Sequence, residues 1–169
     1  MSAQNAPRPS LAIGCDHAGF SAKERLESWL TVQGYEIRDL GCDSEESVDY
    51  PDYGHAVAEA VVHGRADLGL LLCGTGLGMC YVANRHLGIR ASVCWSIEVA
   101  RLAREHNDAN ILILPGRVAT IDPLEEILAA WLETPFPGDL RHRRRILKID
   151  DPSSATPGAA GTPGGRRPR

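Results

Sequence analysis

The sequence has few aromatic residues, no strong excess of charge and no long apolar run. Aromatic residues make up 5% of the chain and the net charge is −4, so no basic surface for nucleic acid is indicated. No apolar stretch approaches the roughly 20 residues that a membrane-spanning helix needs. The N-terminal segment lacks the apolar core of a secretory signal. We therefore expect a cytoplasmic protein with neither a membrane nor a nucleic acid as partner.

Neither the cysteines nor the histidines show the spacing of a metal site. The five cysteines include no CxxC pair, and the six histidines form no HExxH motif. We therefore expect free thiols and no metal. Four of the cysteines are interpreted as structural, namely Cys15, Cys42, Cys80 and Cys94.

Short apolar runs alternate with amphipathic segments through most of the chain. The apolar runs predict strands at residues 11–15, 35–40, 68–73, 89–94 and 111–115. The segments between and after them predict helices at 21–32, 53–63, 79–84, 96–105 and 124–132, with Ser21 and Asp122 as helix caps. This alternation predicts a Rossmann-like, three-layer α/β/α fold on a five-stranded parallel sheet.

The two ends of the chain differ in composition from its middle. A linker, TPFPGD, leads from residue 134 into a short basic helix at 140–150. Residues 1–9 and 151–169 are polar or rich in Pro, Gly and Arg, and we predict that both are disordered. A single domain is therefore expected over residues 10–150.

The third predicted strand runs directly into a glycine-rich turn, Cys73-Gly-Thr-Gly-Leu-Gly78. Ligands of parallel sheets bind beyond the carboxyl ends of the strands. Glycines there allow backbone N–H groups to approach a ligand closely, and the start of a helix favours an anion. The alternative is a tight turn beside a small buried thiol, because a short glycine pattern and a lone cysteine are weak signals.

Other polar turns follow strands of the same sheet. Asp16 and His17 follow the first strand and Arg117 follows the fifth, so all three should lie at the same edge as Cys73. The turn at 106–110, HNDAN, precedes a strand and should therefore lie at the opposite edge. A second chain could bring His106 and Asn107 to the site. Each of these residues, taken alone, could also be a capping or surface residue.

Seven blocks in order make the sequence similar to the type B ribose-5-phosphate isomerases and their relatives that act on galactose, allose and tetrose phosphates. The resemblance covers about residues 10–149, and its blocks are GCDHAGF at 14–20, DYPDYG at 49–54, CGTGLG at 73–78, AN at 83–84, GIRA at 88–91, REHNDAN at 104–110 and GDLRHRRR at 138–145. It implies an aldose–ketose isomerase of the non-oxidative pentose phosphate pathway that forms a cis-enediolate without metal or other cofactor. It also implies a homodimer, sometimes paired into a tetramer, with sites shared between subunits and a C-terminal helix that reaches the partner.

The resemblance also implies roles for individual residues. Cys73 is the base that moves a proton between C2 and C1, and His106 helps to open the sugar ring. Thr75 and the N–H groups of the glycine turn surround the enediolate. The substrate-binding residues are Asp16, His17, Tyr50, Gly74, Gly76, Gly78, Asn107, Arg117, Arg141 and Arg145. Of these, His17 and the three arginines take the phosphate.

The residue types suit this chemistry. Removal of the C2 proton needs a nearby base and donors for the developing oxygen charge. Some family members replace the cysteine with a glutamate six residues further on, where this chain has Met79, which cannot accept a proton. The alternative hypothesis, from a different functional class, is a non-catalytic module that binds a nucleotide or a phosphate at the glycine turn. Within the isomerase class we expect the five-carbon substrate, ribose 5-phosphate, and four- and six-carbon sugar phosphates are the alternatives.

Overall fold

A five-stranded sheet forms the centre of the computed structural model, which describes residues 8–154. All neighbouring strands are parallel, and their order across the sheet is β2-β1-β3-β5-β4. The strands are β1 (Leu11–Cys15), β2 (Ile37–Asp39), β3 (Leu68–Cys73), β4 (Ala91–Val93) and β5 (Ile111–Pro115). The outer strands β2 and β4 are shorter than the apolar runs that predicted them.

Helices cover both faces of this sheet. The helices that pack on it are α1 (Phe20–Val32), α2 (Tyr50–Val62), α3 (Leu77–Ala83), α4 (Ile97–Asn107) and α5 (Leu124–Glu133). A further helix, α6 (Leu140–Asp150), follows later in the chain. One apolar cluster joins the sheet to α1, α4 and α5, and the other joins it to α2 and α3. The predicted three-layer α/β/α fold is thus confirmed, whereas the reach of α6 to a partner subunit stays a prediction.

The central strands are buried because helices cover them on both sides. Every residue of β1 and β5 is buried, as are all residues of β3 except the first. Such strands read as continuous apolar runs rather than alternating ones, which explains why the sequence marked them clearly. The rigid centre of the sheet therefore carries the turns in which the candidate site residues lie.

The chain divides after Pro137 into two compact units, so the domain predicted over residues 10–150 spans both. The second unit contains α6 and a short 3-10 turn at Pro152–Ser154. Residues 1–7 and 155–169 lie outside the described part, and the predicted disorder of the two ends stays a prediction. Within residues 8–154, no helix is both long and apolar enough to cross a membrane.

The starts of the first four helices and both predicted helix caps differ from the prediction. Helix α1 begins one residue before Ser21, which makes no cap and instead lies 3.5 Å from Glu45. Helix α2 begins at Tyr50, three residues earlier than expected, because Pro51 is well suited to a first helical turn. Asp122 does not cap α5, since its Oδ2 accepts a hydrogen bond from Ile97 N–H at the start of α4 (2.8 Å).

Candidate active site

Backbone hydrogen bonds join the carboxyl ends of β1, β3 and β5. Gly116 N–H donates to Cys73 O (2.8 Å) and Arg117 N–H donates to Gly74 O (3.0 Å). On the other side, Asp16 N–H donates to Leu72 O (3.3 Å). The turns that hold Asp16, Cys73 and Arg117 therefore meet at one edge of the sheet, as their positions after parallel strands predict.

The Cys73 thiol lies at the base of the glycine turn. Its side chain is buried, and Sγ accepts a hydrogen bond from Gly76 N–H over 3.2 Å. Gly76 makes this possible with a left-handed backbone (φ 80°), and a Cβ there would come within 3.1 Å of Val93. The turn therefore places a backbone donor directly on the sulfur at the carboxyl end of β3.

Tyr50 packs directly on the glycine turn. A Cβ on Gly78 would lie 2.8 Å from Cε2 and Cζ of the Tyr50 ring, so only glycine allows this approach. The early start of α2 places Tyr50 there, with 38% of its surface exposed. Thr75 is exposed in the same turn, and its Oγ1 accepts a 3.4 Å hydrogen bond from Leu77 N–H.

Asp16 and His17 are held by their own backbone surroundings. Asp16 is buried, and its Oδ1 accepts hydrogen bonds from Ala18 N–H (2.9 Å) and Gly19 N–H (3.1 Å). The Nδ1 atom of His17 accepts from Val48 N–H (3.3 Å). In the neutral ring this contact leaves the proton on Nε2, which can then donate to an anion.

The turn at 106–110 lies at the opposite edge of the sheet, as predicted. Asn110 O accepts a hydrogen bond from Gly69 N–H near the start of β3 (2.9 Å), whereas Cys73 ends that strand. Four residues of strand span about 13 Å. His106 and Asn107 are exposed at the end of α4 and line a groove beside the edge strand β4. Within one chain these two residues are therefore not brought to Cys73.

Arg141 and Arg145 belong to the second unit. They are four residues apart on α6, so they share one face of that helix. Arg141 Nε lies 3.9 Å from Asp139 Oδ2, a weak and exposed ion pair. Their predicted part in phosphate binding stays a prediction.

The other thiols in the core differ from Cys73 in their surroundings. Burial raises the pKa of Cys94 to about 12, and burial together with the neighbouring Cys42 raises the pKa of Cys15. The Cys15 and Cys42 sulfurs lie 3.6 Å apart, and both residues are free cysteines. Met79 is fully buried. These features agree with the structural interpretation of Cys15, Cys42 and Cys94.

One group of carboxylates is close enough to hold a cation among residues 8–154. The side chains of Glu24, Glu27 and Asp39 offer oxygens within 4.8 Å of one another. The buried Lys23 already supplies positive charge there, with Nζ 2.5 Å from Asp39 and 3.3 Å from Glu24. The group includes none of the predicted site residues, and the prediction that no metal is needed remains untested.

Several residues inside the sequence blocks have structural partners that the sequence analysis did not assign. Asn84 links α3 to β4 through Ala91, with bonds of 2.9 Å from its Nδ2 to Ala91 O and from Ala91 N–H to its Oδ1. Asn110 Oδ1 accepts from Arg90 N–H (2.8 Å) and its Nδ2 donates to Gly88 O (2.8 Å). The occurrence of Asn84 and Asn110 in the sequence blocks was a signal that these residues have a role. The sequence did not show which groups they bind, because the partners are not adjacent in the chain.

Comparison with known proteins places this geometry in a family. Residues 11–149 match the family model described as Ribose/Galactose Isomerase. The chain is 43% identical to ribose-5-phosphate isomerase B of Escherichia coli over 139 residues, which are 82% of this chain and 93% of that protein. It is 39% identical over 130 residues to D-erythrulose-4-phosphate isomerase of Pectobacterium atrosepticum, covering 76% and 86% of the two chains.

Solved structures show the same relationship. The crystal structure of a ribose 5-phosphate isomerase from Thermotoga maritima superposes with a TM-score of 0.81 at 51% identity, covering 84% of this chain and 97% of that one. The match of residues 11–149 to the family model, together with the shared fold, confirms the predicted resemblance. The chain belongs to the Ribose/Galactose Isomerase family.

Proposed function

We propose that the chain interconverts ribose 5-phosphate and ribulose 5-phosphate in the cytoplasm, as a step of the non-oxidative pentose phosphate pathway. The observation that carries this proposal is the position of Cys73, buried at the end of β3 with its sulfur 3.2 Å from Gly76 N–H. Asp16 and Tyr50 lie at the same turn region and supply polar groups for sugar hydroxyls. The relatives named for ribose 5-phosphate share this family and fold.

The reaction begins with ring opening, because the cyclic sugar has no carbonyl group. His106 acts here as the acid–base group, since the two ring nitrogens of an imidazole can donate and accept a proton. The Cys73 thiolate then takes the proton from C2, and negative charge develops on O1. The O2 proton moves to O1, and the thiol returns its proton to C1. Thiolate is thereby regenerated and the ketose is formed.

The glycine turn and Thr75 stabilise the enediolate. Backbone N–H groups that are fixed before the reaction stabilise a developing oxyanion at no cost in reorganisation. Val93 beside Gly76 and the Tyr50 ring beside Gly78 leave little room for a Cβ, so the turn is closely packed at both glycines. Donors that are fixed in this way stabilise the transition state more than the ground state.

The phosphate group positions the reacting end of the sugar. We assign it to His17 Nε2, Arg117, Arg141 and Arg145. The phosphate takes no part in bond making, because it is attached at the far end of the sugar from C1 and C2. Its binding energy instead orients these two carbons against the base. Arg141 and Arg145 can share one phosphate because they lie on one helix face.

The test of the base is Cys73→Ala. General-base contributions are typically about 10²- to 10⁴-fold, so the turnover of ribose 5-phosphate and the exchange of its C2 hydrogen with solvent should fall at least that far. Binding of inorganic phosphate should be retained. Cys94→Ala is the matched control, since it removes a buried thiol outside the turn. Near-native turnover of Cys73→Ala would show that another group is the base.

We also propose a homodimer in which each site combines Cys73 of one chain with His106, Asn107, Arg141 and Arg145 of the other; two dimers could pair into a tetramer. The support is the location of the 106–110 turn at the opposite edge from Cys73. A two-fold axis would give two identical composite sites.

Mixing two inactive variants tests the shared site. Cys73→Ala and Arg145→Ala are dissociated, combined and reassociated. Random pairing makes half of the dimers mixed, each with one intact site, so about a quarter of native activity should return. Activity that stays at the level of the separate variants, while subunit exchange is verified by mass labels, would contradict shared sites.

Direct comparison of substrates tests the choice of sugar. Ribose 5-phosphate should give a higher kcat/KM than allose 6-phosphate, galactose 6-phosphate or erythrose 4-phosphate. A higher value for one of the others would reassign the substrate within the family. Tight nucleotide binding without turnover of any sugar phosphate would instead support the non-catalytic module.

A further inference from the structure

The turn after α4 has an unusual backbone at Asp108. Its φ and ψ are 45° and 49°, and it is the one non-glycine residue with positive φ among residues 8–154. Residues with side chains rarely adopt this left-handed conformation, although Asn and Asp tolerate it better than most. Asp108 N–H donates back to Arg104 O (3.0 Å), which ends the helix directly after His106 and Asn107.

Two arginines hold the Asp108 carboxylate from different elements. Arg104 Nη1, on α4, lies 3.1 Å from Asp108 Oδ1. Arg90 Nη2, just before β4, lies 3.3 Å from Asp108 Oδ2. The side chain of Arg90 is only 14% exposed and that of Arg104 only 16%, so salt screens these ion pairs less than it screens surface pairs. One carboxylate thus joins the end of α4 to the edge strand.

The same arginines also bind the backbone of the turn. Arg90 Nε donates to Asn107 O (2.9 Å) and to Asp108 O (3.1 Å). Arg104 Nη1 donates to Ala109 O (2.6 Å), and its Nε reaches Thr134 O (3.3 Å) at the end of α5. Carbonyl groups at the end of a helix lack partners within the helix, and here side chains supply them. The direction of the peptide that follows Asn107 is fixed as a result.

We propose that Asp108, Arg90 and Arg104 form a positioning cluster, here called the Asp108 clamp, that holds His106 and Asn107 in the orientation needed for opening the sugar ring. This inference rests on the proposed function, which assigns ring opening to His106. A glycine could adopt the same backbone at position 108 without strain. The carboxylate is needed because it bridges the two arginines, and so keeps both of them in place against the backbone carbonyl groups of the turn.

The function of such a clamp follows from the geometry of acid–base catalysis. A proton-transfer group must come within hydrogen-bond distance of the ring oxygen or the anomeric hydroxyl. His106 and Asn107 lie on the last helical turn, which would otherwise fray at its end. A displacement of about 1 Å can cost about 10²-fold in rate. Asp108, Arg90 and Arg104 are therefore positioning residues and do not themselves contact the substrate.

The experiment measures ring opening separately from isomerisation. In a Cys73→Ala background no proton is moved between C2 and C1, but His106 can still open and close the ring. The measured quantity is the rate at which the α and β anomers of ribose 5-phosphate, labelled with ¹³C at C1, exchange by NMR. The Cys73→Ala protein should accelerate this exchange over buffer.

Two further substitutions in that background then test the clamp. Asp108→Asn keeps the shape and the left-handed tolerance but removes the charge, and Asp108→Gly keeps the backbone but removes the side chain. Both should lower the acceleration about 10- to 100-fold. The matched control is Glu125→Gln, which breaks the Arg25–Glu125 ion pair (2.6 Å) between α1 and α5 and should leave the exchange rate unchanged.

The outcomes separate the clamp from the proposed function. If Cys73→Ala alone fails to accelerate anomer exchange, ring opening is not catalysed, and the role of His106 and this inference both fail. If it accelerates exchange and Asp108→Gly does so equally, the clamp alone is overturned. Should the Asp108 variants not fold, Arg90→Lys decides, because it keeps the charge and loses the Nε contact with Asn107 O. Undiminished exchange in Arg90→Lys would then overturn the clamp.

Discussion

Gly78→Ala is expected to disturb the glycine turn through contact with a single side chain, that of Tyr50. The new Cβ would lie 2.8 Å from two atoms of the Tyr50 ring. Carbon atoms are in favourable contact at about 3.5–4.0 Å, so the ring or the turn must move by about 0.7 Å or more. Gly78 has no positive φ, so the effect comes from crowding and not from backbone strain.

The size of the effect follows from the exposure of Tyr50. Overpacking costs about 1–3 kcal/mol in a closed core, and the 38% exposure of Tyr50 gives the ring room to yield, which favours the lower value. Alanine also restricts the unfolded chain and is favoured over glycine in a helix such as α3, which offsets part of this cost. At about 2–4 °C per kcal/mol, Tm should therefore fall by no more than a few degrees. Displacement of Tyr50 and of the neighbouring N–H groups should lower kcat/KM for ribose 5-phosphate about 10- to 100-fold.

Gly74→Ala is the control for stability. A Cβ there would meet only Ala18 Cβ at 3.6 Å and Arg117 Cδ at 3.9 Å, which are ordinary contacts. Its Tm should equal or exceed that of the native chain, since alanine restricts the unfolded state. In a double-mutant cycle, Gly78→Ala should lower Tm less in the Tyr50→Ala variant than in the native chain. Native Tm and native kcat/KM in Gly78→Ala would refute the reasoning.

Two further predictions concern alkaline pH and metal. Because burial raises the folded-state pKa of Cys94 to about 12, the folded chain keeps the neutral thiol while the unfolded chain ionises near pH 9, so this contribution to stability is complete below about pH 9 and is lost as the pH rises towards 12. Denaturant unfolding should show a smaller loss of stability between pH 8 and 10 for Cys94→Ala than for the native chain, and equal losses would contradict this. Exhaustive treatment with a chelator should leave turnover unchanged, whereas a loss restored by a divalent cation would show that a metal takes part.

The sequence was sufficient for the fold because its strongest signals are local. Runs such as residues 68–73 are apolar throughout because helices cover both faces of the central strands. The outer strand β4 was predicted too long because Ile89 and Cys94, which lie just outside its ends, are apolar and buried like strand residues. Seven blocks in fixed order likewise identified the family, since order and spacing along the chain need no coordinates.

Tertiary contacts decided which residues of the 106–110 turn bind other parts of the protein and which lie exposed. The sequence presented HNDAN as one polar motif, yet Asp108 and Asn110 bind Arg90, which lies about 20 residues earlier in the chain, while His106 and Asn107 stay exposed. The same holds for Asp122. The sequence predicts that it caps the following helix, whereas its carboxylate accepts a hydrogen bond from Ile97 N–H at the start of α4. A polar side chain bonds to whichever group packing brings within reach, and that group can be distant in sequence. The sequence therefore determined which residue types stand beside each strand, and the packed structure determined which of their side chains hold the backbone and which lie exposed.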